Sequence, residues 1–200
     1  SSTGVKGNTL SVTPFTVDYT APSLSQATAV TSPTNDTTPS YGFSSNEEGT
    51  ISYGGSCSSG TTSAASGTNS ISFNTLSEGT YSNCTITITD SAGNASSALS
   101  VNTFVVDSTA PSISQATAVT TPTNDTTPNY TFSSTEAGTI TYGGSCSSGT
   151  TSATSGNITI TLVALSYGTY SDCTITVTDS VGNVSNTLTI TSFIVTEVLG

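Results

Sequence analysis

The 200-residue chain contains no histidine, no methionine and no tryptophan, and its only basic residue is Lys6. Without histidine, and with a single lysine, no serine can be matched to a usual general base and no phosphate group can be clamped. Paired carboxylates, as glycosidases use them, would lack an aromatic-lined insertion to bind a sugar. The composition therefore argues against an enzyme.

Twelve acidic residues stand against this one basic residue and give a formal net charge of −11 at pH 7. Such a chain has almost nothing with which to neutralise phosphate, so neither nucleic acid nor an anionic membrane surface is expected as a partner. No apolar run reaches the length of a membrane span, so membrane insertion is not expected either. Only 6% of the residues are charged, yet the short β-branched runs alternate too regularly for a disordered chain.

The sequence repeats with a period of 89 residues. Asp18-Tyr-Thr-Ala-Pro22 recurs as Asp107-Ser-Thr-Ala-Pro111, and the same shift carries Thr34-Asn-Asp-Thr-Thr-Pro39 to Thr123-Asn-Asp-Thr-Thr-Pro128. A self-match at a fixed period is typical of a tandem array. We therefore predict two domains, residues 19–107 and residues 108–200, each of ordinary domain size.

Residues 1–18 match the end of a repeat. The pattern Leu10-x-Val12-x-x-Phe15-x-Val17 recurs from Leu99 to Val106 and again from Leu188 to Val195. We predict that residues 1–18 form an extra β-strand equivalent to the last strand of a repeat. Left in water, this strand would expose an apolar edge, so its partner would be a missing upstream domain or a neighbouring subunit.

Each repeat consists of about seven short alternating runs separated by turn residues, and no stretch shows a helical period. This pattern predicts an all-β chain of two tandem immunoglobulin-like (Ig-like) antiparallel β-sandwiches, preceded by the extra strand. Cys57 and Cys84 would lie on the third and the penultimate strand of the first repeat, facing its core.

Two cysteines fall at matching positions in each repeat, and no CxxC or Cys/His cluster offers a zinc ligand set. Four cysteines allow three pairings, and a duplicated domain favours pairing within each repeat. We predict the disulfides Cys57–Cys84 and Cys146–Cys173, and with them an oxidising location outside the cytoplasm.

Three segments together carry a family resemblance: Thr34–Pro39, Gly49-Thr-Ile-Ser-Tyr-Gly-Gly-Ser-Cys57, and the run from Gly79 through Asp90 to Asn94. With the Asp-x-Thr-Ala-Pro linker, they resemble the bacterial Ig-like repeats of very large surface adhesins and related exported proteins. The resemblance implies an extracellular stalk or spacer on a bacterial cell surface, often stiffened by calcium at domain junctions. It implies no particular ligand.

Four positions keep an acid in both repeats, whereas other acids change, as Glu78 does to Tyr167. These retained pairs are Asp18/Asp107, Asp36/Asp125, Glu47/Glu136 and Asp90/Asp179. Turn formation alone can explain each of them, because Asp initiates turns.

The loops of an Ig-like sandwich would nevertheless bring several of these acids to one place. We predict a Ca²⁺ site where the two repeats meet, since carboxylates that converge without a basic neighbour suit a hard cation. Its ligands would be Asp36, Asp107, Glu136, Asp179 and Asn183. A matching half-site at the upstream end of the first repeat would use Asp18, Glu47 and Asp90.

Three functions fit these observations. The first is a structural spacer in a surface stalk, and near-identical loops in the two copies favour it. The second is a subunit of an extracellular filament, assembled by donation of the N-terminal strand to an identical neighbour. The third is an adhesion module that binds an unidentified ligand through its loops.

Overall fold

The computed structural model describes residue 7 and residues 9–197, and all regular structure in this part of the chain is β-strand. The first nine strands are β1 (Leu24–Thr28), β2 (Ser40–Ser45), β3 (Gly49–Gly54), β4 (Ser63–Ala64), β5 (Gly67–Ser72), β6 (Gly79–Tyr81), β7 (Thr85–Thr89), β8 (Leu99–Ser100) and β9 (Phe104–Val106). The next nine are β10 (Ile113–Thr117), β11 (Asn129–Ser134), β12 (Gly138–Gly143), β13 (Ser152–Ala153), β14 (Gly156–Thr161), β15 (Gly168–Tyr170), β16 (Thr174–Thr178), β17 (Leu188–Thr189) and β18 (Phe193–Val195). Each strand of the second set begins 89 residues after its counterpart, as from Leu24 to Ile113.

Alternation of side chains explains why these segments are strands. In β7, Ile86 and Ile88 are completely buried, while the threonines between and beside them are half-exposed. Successive side chains of a strand point to opposite faces, so this pattern fits a sheet with one face on a core. No helix in the described part of the chain is long and apolar enough to cross a membrane.

The chain forms two compact units that interleave in sequence. The first unit lies within Ser1–Ala29, Ser40–Phe73 and Asn83–Asn102, and the second comprises Val30–Pro39, Asn74–Ser82 and Thr103–Gly200. The predicted domain boundaries at residues 19–107 and 108–200 are continuous in sequence and stay a prediction.

The first unit contains a three-stranded sheet in the order β1-β2-β5 and a four-stranded sheet in the order β4-β3-β7-β8. The second contains the corresponding sheets β10-β11-β14 and β13-β12-β16-β17, together with the strand pairs β6-β9 and β15-β18. Neighbouring strands in all of these sheets are antiparallel. The prediction of an all-β chain built from antiparallel sandwiches is therefore confirmed.

The core of the second unit is a single cluster of apolar side chains contributed by its sheets. Phe132, Ile160, Ile175, Val177 and Phe193 are among its most deeply buried members, each at most 1% exposed. Aromatic and β-branched side chains of this size supply most of the burial energy of a small sandwich. The core thus fixes β16 and β18. Asp179, a residue of an acidic cluster described below, directly follows β16, and Thr196, the counterpart of Asp107, directly follows β18.

Both predicted disulfides are present. Cys57 is bonded to Cys84 with a Cα–Cα distance of 5.3 Å, and Cys146 to Cys173 with a distance of 5.2 Å. The cysteines are buried, as predicted, but they lie beside the strands and not on them. Gly55, with a φ of 74°, turns the chain out of β3 before Cys57 is reached.

Among the described residues, the strand predicted for residues 1–18 is not formed. Residues 9–18 belong to no strand, and Leu10 and Phe15 are 90% and 78% exposed. A strand needs a neighbour to pair with its backbone N–H and C=O groups, and this segment has none in the described structure. Residues 1–6 and 8 lie outside the described residues.

Candidate metal centre

Asp107 is held in place by the end of β9. Its backbone N–H donates to the carbonyl of Thr34 over 2.9 Å, and the N–H of Thr34 donates to the carbonyl of Val105 over 3.0 Å. These bonds surround a parallel bridge between Thr34 and Val106. The segment that leads from one sequence repeat to the next therefore starts from a fixed backbone.

Asp179 follows β16 directly and organises the turn to Asn183. Its Oδ1 accepts the backbone N–H groups of Val181, Gly182 and Asn183 at 2.8–2.9 Å. Gly182 has a φ of 97°, a left-handed conformation that glycine adopts without steric cost. Burial alone would raise the pKa of Asp179, but hydrogen bonds from the Asn183 side chain and from these three N–H groups lower it.

Glu136 lies in the tight turn between β11 and β12. Ser134 holds this turn by donating its hydroxyl to the Glu136 carbonyl over 2.6 Å. Thr135 then ties the turn to the chain just before β10, because its N–H donates to the Ser112 carbonyl over 3.0 Å and its hydroxyl accepts the Ser112 N–H over 2.9 Å. The turn and the linker that precedes β10 are thus joined by two hydrogen bonds through Thr135, the residue just before Glu136.

These three supports bring three carboxylates together. One carboxylate oxygen each from Asp107, Glu136 and Asp179 lies within 4.8 Å of the other two, and all three residues are half-buried. We call this group the linker cluster. Oxygens bound to one calcium ion at its usual ligand distances are at most about 5 Å apart, so the spacing fits that ion.

The linker cluster has no cationic side chain within the described residues, since the only basic residue of the chain is Lys6. Burial raises the pKa of Glu136, and the charges of Asp107, Asp179 and Glu78 raise it further. Two like charges 4 Å apart repel by about 1 kcal/mol in bulk water and by about 4 kcal/mol near a protein surface. A divalent cation would remove this repulsion.

Asn183 connects the carboxylates to the linker backbone. Its Nδ2 donates to Asp179 Oδ2 over 2.8 Å, to the Asp107 carbonyl over 3.0 Å and to the Thr109 carbonyl over 3.3 Å. In this orientation Asn183 positions the cluster and presents N–H groups to it. Rotation of the amide by half a turn would present its oxygen instead, which is the form that binds a cation. The role of Asn183 as a ligand stays a prediction.

A second group has the same construction in the first unit. Asp18, Glu47 and Asp90 place one carboxylate oxygen each within 4.8 Å of the others, and we call this group the upstream cluster. Asn94 donates its Nδ2 to Asp90 Oδ2 over 2.9 Å and to the Asp18 carbonyl over 3.1 Å. The hydrogen bond from the Asn94 side chain, helped by backbone N–H groups, lowers the pKa of Asp90. The structure thus brings together both acidic triplets that the sequence predicted.

Asp36 belongs to neither cluster, contrary to its predicted place beside Asp107. Its Oδ1 accepts the N–H of Thr38 over 2.8 Å and the Thr38 hydroxyl over 3.1 Å, so the carboxylate closes its own turn. Asp125 does the same with Thr127 in the second repeat. Turn formation, which Asp performs well on its own, therefore accounts for this retained pair of acids.

Two contributors to the linker cluster were missed at the sequence level. Glu78 accepts a hydrogen bond from the Thr109 hydroxyl and adds its negative charge to those that Asp107 and Asp179 place near Glu136. Comparison of the repeats conceals Glu78, because Tyr167 replaces it in the second copy. The carbonyl of Thr109 is a backbone group, which no side-chain pattern reveals.

No protein-family model matches the sequence, and no curated protein matches it. Among solved structures, the chain is similar to the fibronectin(III)-like modules of Clostridium thermocellum CbhA, with 12% identity and a TM-score of 0.40 over 88% of this chain and 95% of that one. It is also similar to the D0-D1 domain of intimin, with 15% identity and a TM-score of 0.30 over 84% of this chain and 97% of that one. A third similarity, to the BSP domain of a biofilm associated protein, has 20% identity and a TM-score of 0.28 over 88% of this chain and 30% of that one. At such identities and TM-scores, these similarities carry no argument about the family or the function of this chain.

Proposed function

We propose that this protein is a non-catalytic structural repeat, a stalk or spacer segment of a bacterial surface adhesin, and that Ca²⁺ stiffens the linker between its repeats. The observation that carries the proposal is the linker cluster, which joins Asp107 of the linker to Glu136 and Asp179 on two separate turns. The family resemblance of the linker and loop motifs supports the extracellular location, as do the disulfides.

Calcium would act in the linker cluster as a tie between segments that otherwise repel. Asp107, Glu136 and Asp179 are well separated along the chain, so one ion bound to all three would cross-link the linker to both turns. The carbonyl oxygens of Asp107 and Thr109 lie beside the same Asn183 amide and offer further oxygen ligands. Calcium takes six to eight such ligands, with water completing the set.

Repetition of the cluster favours a structural role over a recognition role. The upstream cluster reproduces the same three acids and the same asparagine at the preceding linker. Every linker of an array would then carry one calcium tie. A recognition site, in contrast, would be expected to differ between the copies.

The proposal is tested by calorimetric melting of the whole chain in EDTA and in CaCl₂. Extracellular calcium modules bind with dissociation constants on the order of 10⁻⁴ to 10⁻³ M. Calcium at about ten times the dissociation constant should stabilise the folded state by about 1.4 kcal/mol. For a unit of about 90 residues this corresponds to a rise in melting temperature of several degrees.

Two matched variants make the test specific. Asp107→Asn removes one charge from the linker cluster and should remove most of the calcium-dependent rise in the second unit. Asp125→Asn removes one charge from a retained acid that closes its own turn, and the calcium response should stay intact. An unchanged melting temperature of the native chain in calcium, or equal responses of both variants, would contradict the proposal. These acids would then serve only to form turns.

A further inference from the structure

The N-terminal segment exposes a row of apolar side chains that a soluble module would normally bury. Leu10, Val12, Phe15 and Val17 are 90%, 72%, 78% and 55% exposed. Scattered surface hydrophobics need no explanation, but a contiguous set marks an interaction site. We call residues 10–17 the N-terminal segment.

The structure shows how the same pattern is used elsewhere in the chain. Val12, Phe15 and Val17 correspond in sequence to Ile190, Phe193 and Val195, each of which is only 1% exposed. These counterparts lie on or beside β17 and β18 and belong to the core of the second unit.

The partner of that strand is also known from the structure. β17 pairs antiparallel with β16, and β18 pairs antiparallel with β15, so that Phe193 lies opposite Tyr170. The two rings stack with their centroids 5.3 Å apart. Between the paired stretches, the N–H of Ile190 donates to the Cys173 carbonyl over 2.9 Å.

Pro14 restricts how the N-terminal segment can pair, because proline has no N–H group to donate to a neighbouring strand. It corresponds to Ser192, which lies in the gap between β17 and β18 and takes part in no ladder pair. The proline therefore falls where the counterpart strand is interrupted, and the segment stays compatible with the same pairing.

Within residues 19–197, the strands that pair with the counterparts of this segment already have those partners. β6 and β7 are already paired with β9 and β8, and β15 and β16 are paired with β18 and β17. A second copy of the chain offers the same filled edges. A further repeat that lacked its own last strand would leave the equivalent pairing positions open to the N-terminal segment.

We infer that the N-terminal segment is the last strand of a further Ig-like repeat that precedes it in the same polypeptide and pairs antiparallel with that repeat's penultimate strand. The order of motifs argues for the same polypeptide. Val17 is followed by Asp18-Tyr-Thr-Ala-Pro22, just as Val106 is followed by Asp107-Ser-Thr-Ala-Pro111, so the segment leads into the next repeat as an internal last strand does. The inference concerns strand pairing and stands whether or not the clusters bind calcium.

The test supplies the inferred partner. In an extended chain, a copy of residues 108–187 is placed directly before residues 10–200. Leu10 then follows residue 187 and takes the place of its counterpart Leu188. A reference chain carries residues 108–195 before residues 18–200 and so retains the strand's own sequence. Amide hydrogen exchange is then measured on residues 10–17 and, in the reference chain, on the added copy of residues 188–195.

In the extended chain, the amides of residues 10–17 should exchange on the order of 100-fold more slowly than in the native chain, as expected for strands that open only with their folding unit. In the extended chain, Phe15→Asp with Val17→Asp should abolish this protection of residues 10–17. Ser11→Asp with Thr16→Asp introduces the same charge on positions whose counterparts, Thr189 and Ile194, are exposed; protection should survive. Fast exchange of residues 10–17 in the extended chain, with slow exchange in the reference chain, would overturn the inference.

The native chain supplies a second readout. Phe15→Asp with Val17→Asp should leave its melting temperature and its monomeric mass unchanged, because no edge in residues 19–197 receives the segment. A lowered melting temperature would mean that the segment packs within this chain and would contradict the inference. Oligomers of the native chain that disappear in this double variant would show pairing between copies, which would also overturn it and would support the filament alternative.

Discussion

At the scale of single residues, Glu136 bears the electrostatic cost of the linker cluster. Burial raises its pKa, and the charges of Asp107, Asp179 and Glu78 raise it further. A carboxyl whose pKa is higher in the folded state binds more protons there than in the unfolded state. Its ionisation therefore removes stability as pH rises from the unfolded pKa through the folded pKa. Asp179, whose pKa is lowered, acts in the opposite sense and stabilises the fold above its unfolded pKa.

We predict that Glu136→Gln raises the melting temperature of the metal-free chain at neutral pH, because it removes the charge that the cluster repels. The difference from the native chain should shrink as pH falls from neutral into the acidic range, because the native glutamate, whose pKa is raised in the folded state, then takes up its proton. Calorimetric scans in EDTA from neutral to acidic pH would show it. A variant that is less stable than the native chain in EDTA at neutral pH would contradict the conclusion that the charge of Glu136 destabilises the fold.

At the scale of strands, the two copies differ in how their first and last strands are joined. In the second unit, Asn186 accepts the N–H of Ile113 and donates to its carbonyl, both over 2.9 Å. This amide spans from β10 to the chain just before β17. The first copy has Ser97 at that position, and a groove of about 380 Å³ lies there between Leu24 and Leu99. A serine offers one polar atom where asparagine offers two.

We predict that Asn186→Ser lowers the free energy of unfolding of the second unit by about 1–3 kcal/mol, because the backbone groups of buried Ile113 lose their partner. The reciprocal change, Ser97→Asn, should stabilise the first unit by about 1 kcal/mol. Urea denaturation followed by amide exchange would assign each change to its unit. Equal effects of both substitutions in the same direction would show that the hydrogen bonds of the asparagine side chain do not determine stability at this position.

The disulfides act on the same scale, because each one joins the chain after a strand to the chain before another. Cys146 and Cys173 are separated by 27 residues, and closing a loop of this length stabilises the fold by about 3.5 kcal/mol in the chain-entropy model. We predict a loss of this size in Cys146→Ala with Cys173→Ala, measured by denaturant unfolding of the second unit. The matched double substitution Cys57→Ala with Cys84→Ala should leave the unfolding of the second unit unchanged. A loss below about 1 kcal/mol would mean that the bridge adds little beyond the packing around it.

At the scale of the whole molecule, much of the architecture could be predicted from the sequence. Alternation of isoleucine and threonine in stretches such as Thr85–Thr89 predicted strands, which the structure contains, and the duplicated cysteines predicted both disulfides. The acidic triplets were also predictable, because acids retained at the ends of strands converge once the loops of a sandwich are placed.

Other features could not be predicted, for physical reasons that differ. Asp36 has a competing local use, since Thr38 offers it two hydrogen bonds within its own turn. Glu78 and Asn186 each occur in one copy alone, so comparison of the repeats gives no signal for them. The N-terminal segment has the right pattern for a strand, but a strand forms only where an open edge accepts it.

The central claim is that calcium ties the linker to the turns of the following repeat. Nuclear magnetic relaxation of the backbone amides of residues 107–110, recorded in CaCl₂ and in EDTA, tests it most directly. With calcium bound, we expect order parameters near 0.85, which is the level of rigid backbone, and clearly lower values in EDTA. Asp107→Asn should give the lower values in both conditions, while Asp125→Asn should behave as the native chain does. Order parameters that are the same in calcium and in EDTA for the native chain would contradict the account.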